Sequence, residues 1–286
     1  MTEPSVRPPA CADDRWYPSR PDHLRATVDS LLEAVRDEPI PGRLLGLIAP
    51  HAGIQFAGPT AAHAYKQLEG RRYSRVIILG PSHFADFGPE AVNASSSFST
   101  PLGEIRVDRA AVARIEQAVD VRSVRQEHEH SLEMQLPFLQ RQLGEFTLVP
   151  LMMSYPFYLV GPVARTVAER LASALVPLVD DETLLVASSD LSHLDDYRQV
   201  QKSDSRLDSL ISAFDIDGLI EYMSSGGVCR ACGDMAVITL LLTARACGAD
   251  SVRVLARTNS SEILRQQIPG QYTVGYMAAA VYRSAA

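Results

Sequence analysis

Apolar residues recur with a helical period between Asp22 and Asp37, where Leu24, Val28, Leu31, Leu32 and Val35 share one stripe. That spacing predicts an amphipathic helix. The period then collapses into short continuous apolar runs. Arg43 to Ala49 (RLLGLIA), Ser74 to Leu79 (SRVIIL), Phe146 to Met152 and Thr183 to Ser188 (TLLVAS) each read as a buried strand, because a strand covered on both faces has no polar side to alternate with. Between them the helical period returns at about 109–118, 131–143, 160–175, 197–214, 216–223 and 234–246. A further helix is expected to open at Pro59 and close at Gly70, the usual places for those residues at helix ends. Residues 91–108 read as an irregular hairpin turning at Pro101-Leu102-Gly103, and strands near 252–257 and 272–282 finish the chain.

Buried strands alternating with amphipathic helices imply an α/β layered fold. No repeat, low-complexity tract or Pro/Ser linker divides the 286 residues, so one domain spanning 1–286 is expected, with 1–14, polar and proline-rich, loosely ordered.

Charge narrows the function. The 27 Lys and Arg against 34 Asp and Glu leave a net −7, and no stretch gathers the cations, so the footprint that nucleic-acid binding requires is missing. The longest apolar run, near 235–242, is far short of a membrane span, and the polar start lacks the apolar centre of a secretion signal. A cytoplasmic location is expected, with Cys11, Cys229, Cys232 and Cys247 as thiols.

The informative residues sit where strands end. The first strand runs into Pro50-His51-Ala52-Gly53, the second into Gly80-Pro81-Ser82-His83, and the fourth into Ser189-Asp190-Leu191-Ser192-His193. Ligands of open α/β sheets bind beyond the carboxyl ends of the strands, and neutral imidazole is the commonest metal ligand. A single histidine at a loop edge also reads as an ordinary polar residue. His51 and His83, in matching positions on separate strands, read together as metal ligands.

Cys232 precedes a strongly apolar helix, whose N-terminal N–H groups would favour a metal-ligating thiolate; a small buried hydrophobe is the alternative. Cys229 and Cys232 make a lone C-x-x-C without the second pair a structural zinc site wants. Asp190 and His193 read as ligands, orienting groups or proton carriers, or in the case of Asp190 as a turn cap. His130 reads as an acid or base or as part of a cap. Glu133 reads likewise or as a first-turn carboxylate facing the helix dipole. Trp16 and Tyr17 read as a pocket wall or as an anchor of the terminus.

These stretches resemble the Memo family, called AmmeMemoRadiSam system protein B in bacteria. The matching pieces are Trp16-Tyr17-Pro18, APHAG ending at Gly53, GPSH ending at His83, and TPLG at Thr100 to Gly103. EHSLEMQLPFL from Glu129, SSDLSH ending at His193, ACG ending at Gly233 and YTVGYMAAAVY at the end complete the set, in family order over nearly the whole chain. The resemblance implies a fold like the LigB-type class III extradiol dioxygenases, a single domain with a central mixed sheet and helices on both faces. It also implies a metal pocket in which His51 and His83 match two histidine ligands and Cys232 stands in place of a carboxylate. Asp190, His193 and His130 match further pocket residues, read as the catalytic set. One departure is visible: the family commonly has tyrosines where this chain has Ile54 and Phe56, which puts any role for those phenols in doubt.

A thiolate ligand favours iron or copper, with zinc also compatible, over magnesium or calcium. The expectation is a metal-dependent oxidoreductase of dioxygenase type. The alternatives are a copper- or iron-binding protein without turnover, and a module that binds a peptide or small ligand in the same pocket. A radical-SAM protein partner is implied by the bacterial family name alone.

Overall fold

In the computed structural model the described residues are 5–84, 87–125, 128–225, 229 and 231–285, the Tyr158 side chain aside. In chain order the strands are β1 (Val6–Arg7), β2 (Arg43–Ala49), β3 (Arg75–Pro81), β4 (Glu90–Asn93), β5 (Ser97–Thr100), β6 (Gly103–Arg106), β7 (Arg122–Val124), β8 (Thr147–Met153), β9 (Thr183–Ser188), β10 (His193–Leu194), β11 (Ser251–Asn259) and β12 (Thr273–Arg283). The helices are α1 (Pro21–Glu33), α2 (Ile54–Lys66), α3 (Arg109–Ala118), α4 (Leu136–Leu143), α5 (Phe157–Leu175), α6 (Tyr197–Ser212), α7 (Ile216–Ser224), α8 (Asp234–Ala246) and α9 (Ser260–Ile263).

The large sheet runs β10-β12-β2-β9-β3-β8-β4-β7, with β11 added on the other edge of β12. Its centre is parallel: β2 pairs with β9, β9 with β3, and β3 with β8. The flanks are antiparallel, β12 on β2 and β4 on β8, so the sheet is mixed. One face is covered by α2, which packs on β2, β11 and β12, with α1 and α4 outside it. The other carries α8 on β2, β3 and β9, backed by α5 and α7. Covering both faces explains the unbroken apolar runs. Beyond their first residues β2 and β3 are buried throughout, and β9 is buried from end to end. No helix among the described residues is long and apolar enough to cross a membrane.

The periodic segments fall close to where the sequence puts them, with α3, α8 and β9 matching residue for residue. Four expectations need correction. The helix assigned to Pro59 starts at Ile54, with Pro59 inside it. Gly53 caps that helix, and the N–H groups of Phe56 and Ala57 both reach its carbonyl. The helix expected from Ser131 begins only at Leu136, after a 3₁₀ turn over Glu133–Gln135. The hairpin at 91–108 is narrower than expected. Only β5 and β6 form it, Thr100 facing Gly103, while β4 leaves to join the large sheet.

The fourth correction is the N-terminus. Residues 1–4 lie outside the described set, but from Ser5 onward the segment is packed, not loose. β1 pairs in parallel with β5, and Arg7, Cys11 and Tyr17 are each 1% exposed. The cause is a buried ionic hub rather than apolar content. Glu133, fully buried, accepts from Arg7 Nη1 (2.5 Å), Ala10 N (2.9 Å), Cys11 N (2.8 Å) and the Tyr17 hydroxyl (2.5 Å). The Arg7 guanidinium also lies over the Phe98 ring. Four donors on one carboxylate supply the compensation that a buried charge requires.

Candidate metal centre

The parallel register brings the informative strand ends together. Ala49 of β2 faces Ser188 of β9, and Leu79 of β3 faces Ala187. His51, His83 and Asp190 therefore leave the sheet side by side, at the carboxyl ends of neighbouring strands. α8 delivers the fourth residue. Gly233 caps α8 so close to β9 that a Cβ there would run into the Ser188 carbonyl oxygen. That approach places Cys232 against the histidines, its Sγ 3.2 Å from His51 Nε2. One ligand atom each from His51, His83 and Cys232 lies within 4.8 Å of the others. Ligands of one transition-metal ion at bonds of about 2.0–2.3 Å span at most about 4.6 Å, so the three fit one ion after small side-chain shifts.

Hydrogen bonds fix which nitrogen of each imidazole is free. Ser188 Oγ donates its only hydrogen to the Ser131 carbonyl (2.6 Å) and accepts from Gln135 Nε2 (2.7 Å). Its 2.9 Å contact with His51 Nδ1 must then be donated by the imidazole, which leaves the Nε2 lone pair facing Cys232. His83 Nδ1 donates to Glu129 Oε1 (3.0 Å), while the other carboxylate oxygen accepts the His83 backbone N–H (2.6 Å). Burial works against the Glu129 charge, but the His83 ring and the backbone N–H groups of His83 and Ser131 pull its carboxyl down to about 2. The carboxylate thus persists and orients the ring, the arrangement that supports metal-bound histidines.

Burial, reinforced by His83, holds His51 well below the usual imidazole range, so it is neutral and able to ligate. Cys232 departs from expectation. Burial and the Asp190 carboxyl push its thiol well above the ordinary value, so without a cation it is S–H, placed to donate to His51 Nε2. The helix terminus does not make it a thiolate, because Asp234 holds that position and accepts from Met235 N and Phe157 N. Metal binding would displace the proton.

Three further site residues surround the triad. The His130 ring stacks on His83 at 4.4 Å and lies 4.3 Å from the Trp16 ring. Its Nδ1 is buried without a hydrogen bond and 3.6 Å from Glu129 Oε1. Burial, then His51 and His83, lower His130 to about 3, so it is not a cation; its carbonyl accepts the Met134 N–H where the turn before α4 opens. Asp190 is buried and accepts the N–H groups of His51 (2.8 Å) and Ala52 (3.3 Å); it ties β2 to β9 rather than capping a turn. His193 contacts the Tyr272 hydroxyl through Nδ1 (2.8 Å), and its Nε2 is buried without a partner. Asp190, His193 and Cys232 offer a second group of atoms within 4.8 Å of one another.

Glu133 is the residue whose role the sequence leaves open and the fold assigns: it binds Arg7 and the N-terminal segment, not a helix dipole. That segment carries Trp16 to the site, while Tyr17 is the anchor. His23 and His128 are exposed and His63 is half-buried, all outside the cluster. Cys229 is a buried free thiol, and the described cysteines form no disulfide. Glu129 was legible only as part of a motif, since nothing in its spacing says that it holds His83.

Beside the triad a cavity of about 230 Å³ is walled by Ser82, His83, Met153, Tyr155, Leu159 and Cys232, among others. A wider one of about 450 Å³ shares Ser82, His83, Tyr155 and Leu159 and reaches Phe84 and Val160. Small-molecule sites are concave and mostly apolar with a few convergent polar groups, and the smaller cavity meets that description at its His83 and Cys232 end.

The family model described as Memo-like protein matches residues 7–280. The chain is 34% identical to a MEMO1 family protein of Methanopyrus kandleri, over 97% of this chain and 99% of that one. It is 32% identical to a MEMO1 family protein of Thermotoga maritima, over 96% and 99%. The fold is similar to the crystal structure of an uncharacterised Escherichia coli K12 protein, with a TM-score of 0.50 and 12% identity over 82% of this chain and 99% of that one. Full-length similarity to such relatives, on top of the family match, settles the kinship: the chain belongs to the Memo-like protein family.

Proposed function

We propose that His51, His83 and Cys232 hold a redox-active metal, iron or copper, and that the chain is a dioxygenase-like oxidoreductase acting on a small molecule in the adjoining cavity. The observation that carries this reading is the convergence of three ligand atoms within 4.8 Å, two of them on imidazoles whose other nitrogen is already committed. The donor set fits such an ion. Two neutral imidazoles and one sulfur suit borderline and soft metals, and both flanking histidines keep a buried nitrogen without a partner. When bound, the metal would supply a Lewis acid with positions left open for substrate or dioxygen.

The protein's own groups do the rest. Glu129 and Ser188 keep both ligand rings in the tautomer that presents a lone pair. Trp16 and Phe84 stand at the edges of His130 and exclude water from it. His130, stacked on His83 and lowered to about 3 by burial, is suited to accept a hydrogen bond from a substrate hydroxyl rather than to hold its proton. We place the protein in the cytoplasm, a reading supported by its unpaired cysteines.

A second reading, metal retention without turnover, is favoured by Cys232 itself, because a sulfur ligand beside a redox metal is open to oxidation. The two readings part in one experiment. Protein purified anaerobically is analysed for iron and copper beside Cys232→Ser and a His51→Ala/His83→Ala double variant. Iron(II)-loaded protein is then exposed to air with a panel of catechols. Metal that is lost in both variants, with oxygen uptake in the wild type, supports the enzyme. Metal loss without oxygen uptake leaves retention, and unchanged metal content in the variants removes both.

A further inference from the structure

A further cavity, of about 240 Å³, opens between α6, β11 and α9 and shares no residue with the two beside the metal centre. Every described residue that lines it is polar, Gln201, Asp204, Arg257 and Asn259 among them. We infer that this cavity binds a small zwitterion, an α-amino acid with a short side chain. Its ammonium group meets Asp204, and its carboxylate meets Arg257 and Asn259.

Asp204 calls for a cation. It is 1% exposed, and the hydrogen bonds that reach its carboxyl come from Ser192. A carboxylate offers about four acceptor sites, so part of that capacity is unused. A buried carboxylate needs a paired charge, yet Arg257, the cation whose charge it feels, is paired with Asp208 instead. Gln201 adds an acceptor. It gives Nε2 to Glu262 Oε1 at 3.0 Å, which fixes its amide and leaves Oε1 without a described partner. Glu262 is held in turn by Thr258 Oγ1 at 2.7 Å, so this wall is set before a ligand arrives.

The opposite need lies on β11. Arg257 spends only Nε, on Asp208 Oδ2 at 3.2 Å, and neither terminal nitrogen bonds a described residue; that pair of nitrogens suits a carboxylate. Asn259 is 3% exposed and accepts the Glu262 N–H with Oδ1 at 3.0 Å, but its Nδ2 donates to no described residue. An idle buried amide is costly until an acceptor enters. An amine alone would leave Arg257 and Asn259 unmet, and an anion alone would leave Asp204 so. A molecule with both charges satisfies all three. A single metal ion does not suit, because these carboxylates form none of the described groups whose ligand atoms lie within 4.8 Å of one another. The cavity is smaller than the roughly 300–1,000 Å³ of drug-sized pockets and has no apolar wall for a large side chain.

L-Serine is the first probe, with glycine, L-alanine and L-asparagine beside it. Full-length protein is titrated by calorimetry at about pH 8, above the value of about 7 to which burial raises Asp204. One serine should bind per chain. Ethanolamine and lactate, which each lack one of the two charges, should bind at least about tenfold more weakly. Asp204→Asn and Arg257→Gln should each weaken serine at least about tenfold, with circular dichroism showing that both variants fold. Asn259→Asp should do the same, since it keeps the oxygen that takes the Glu262 N–H but turns a negative charge toward the ligand. An amino acid can also chelate a metal, so the His51→Ala/His83→Ala variant is titrated in parallel; its serine affinity should stay within about threefold of wild type. No saturable binding of any of the four amino acids overturns the proposal. So does serine affinity that survives in Asp204→Asn and Arg257→Gln, or that vanishes with His51 and His83, because the molecule would then sit elsewhere. Ethanolamine or lactate binding as tightly as serine overturns it too.

Discussion

Ser188 has one hydrogen to give and three neighbours, and the allocation decides what His51 can do. Because that hydrogen goes to the Ser131 carbonyl, the imidazole must donate from Nδ1 and keep its lone pair on the Cys232 side. Ser188→Ala removes the constraint and leaves the ring free to turn. The expected result is a 10- to 100-fold loss of metal affinity, the usual effect of removing a group that orients a ligand, with a stability loss of about 1–3 kcal/mol from the buried partners left unpaired; chelator competition measures the first. A wild-type affinity would mean that the tautomer is set elsewhere. Asp204 makes the pH-dependent counterpart. It is 1% exposed, accepts the Ser192 N–H at 3.1 Å, and burial raises it from 3.8 to about 7, with Ser192 and Arg257 pulling the other way. A carboxyl raised in the folded state favours folding while it is protonated. Its contribution is therefore complete below about pH 4 and lost as the pH rises through about 7. A shift of this size converts to about 4 kcal/mol at most. Asp204→Asn should flatten the fall in melting temperature between pH 4 and 7, a profile that thermal unfolding at several pH values tests.

At the level of elements, two contacts bring distant segments to the site. The first is the start of α8. Gly233 is required there by close approach and not by backbone conformation: its φ is −104°, open to any residue, but a Cβ would meet the Ser188 carbonyl and lie 2.6 Å from Ser189 Cβ. Gly233→Ala should push α8 off β9, cost about 2–4 kcal/mol in urea unfolding, and weaken metal binding through the displacement of Cys232. Normal affinity at reduced stability would separate the two effects and count against this role. The second contact is the N-terminal segment held by Glu133. Truncating a buried ion-pair partner leaves the other charge unpaired and costs about 3–5 kcal/mol. Glu133→Ala should do so through Arg7, and it should also release Trp16 from His130. The chain has one tryptophan, so its emission should shift to the red in the variant; an unmoved spectrum would show that the segment stays docked without the hub.

For the whole molecule, a metal bound as proposed would couple site to stability. An ion that binds only the folded chain stabilises it by about 2.7 kcal/mol at a hundredfold excess over Kd. For a chain of this size, which gains about 0.6 kcal/mol/K of entropy on unfolding, that corresponds to a rise of roughly 5 °C in melting temperature. Addition of iron(II) or zinc(II) should produce it in the wild type and not in Cys232→Ser, as followed by circular dichroism. The sheet explains why one ion would have so wide a reach, because its proposed ligands lie just beyond β2, just beyond β3 and at the start of α8, three elements far apart in the chain.

The sequence by itself determined the layered α/β fold, because strands buried on both faces and amphipathic helices each leave a periodicity that needs no partner to be seen. It also determined that His51, His83 and the Asp190 segment sit at strand ends, and Cys232 at the start of a helix. It missed β1, β7 and β10, which have two or three residues each and are made by pairing rather than pattern. It also read the N-terminal segment as loose, since polar composition does not reveal that a carboxylate more than a hundred residues away will take its donors. Only the tertiary structure decided that Glu129 orients His83, that Ser188 sets the tautomer of His51, and that the Cys232 thiol keeps its proton. Those properties depend on hydrogen bonds and on exclusion of water between residues 46 to 181 positions apart, and neither exists until the chain has folded.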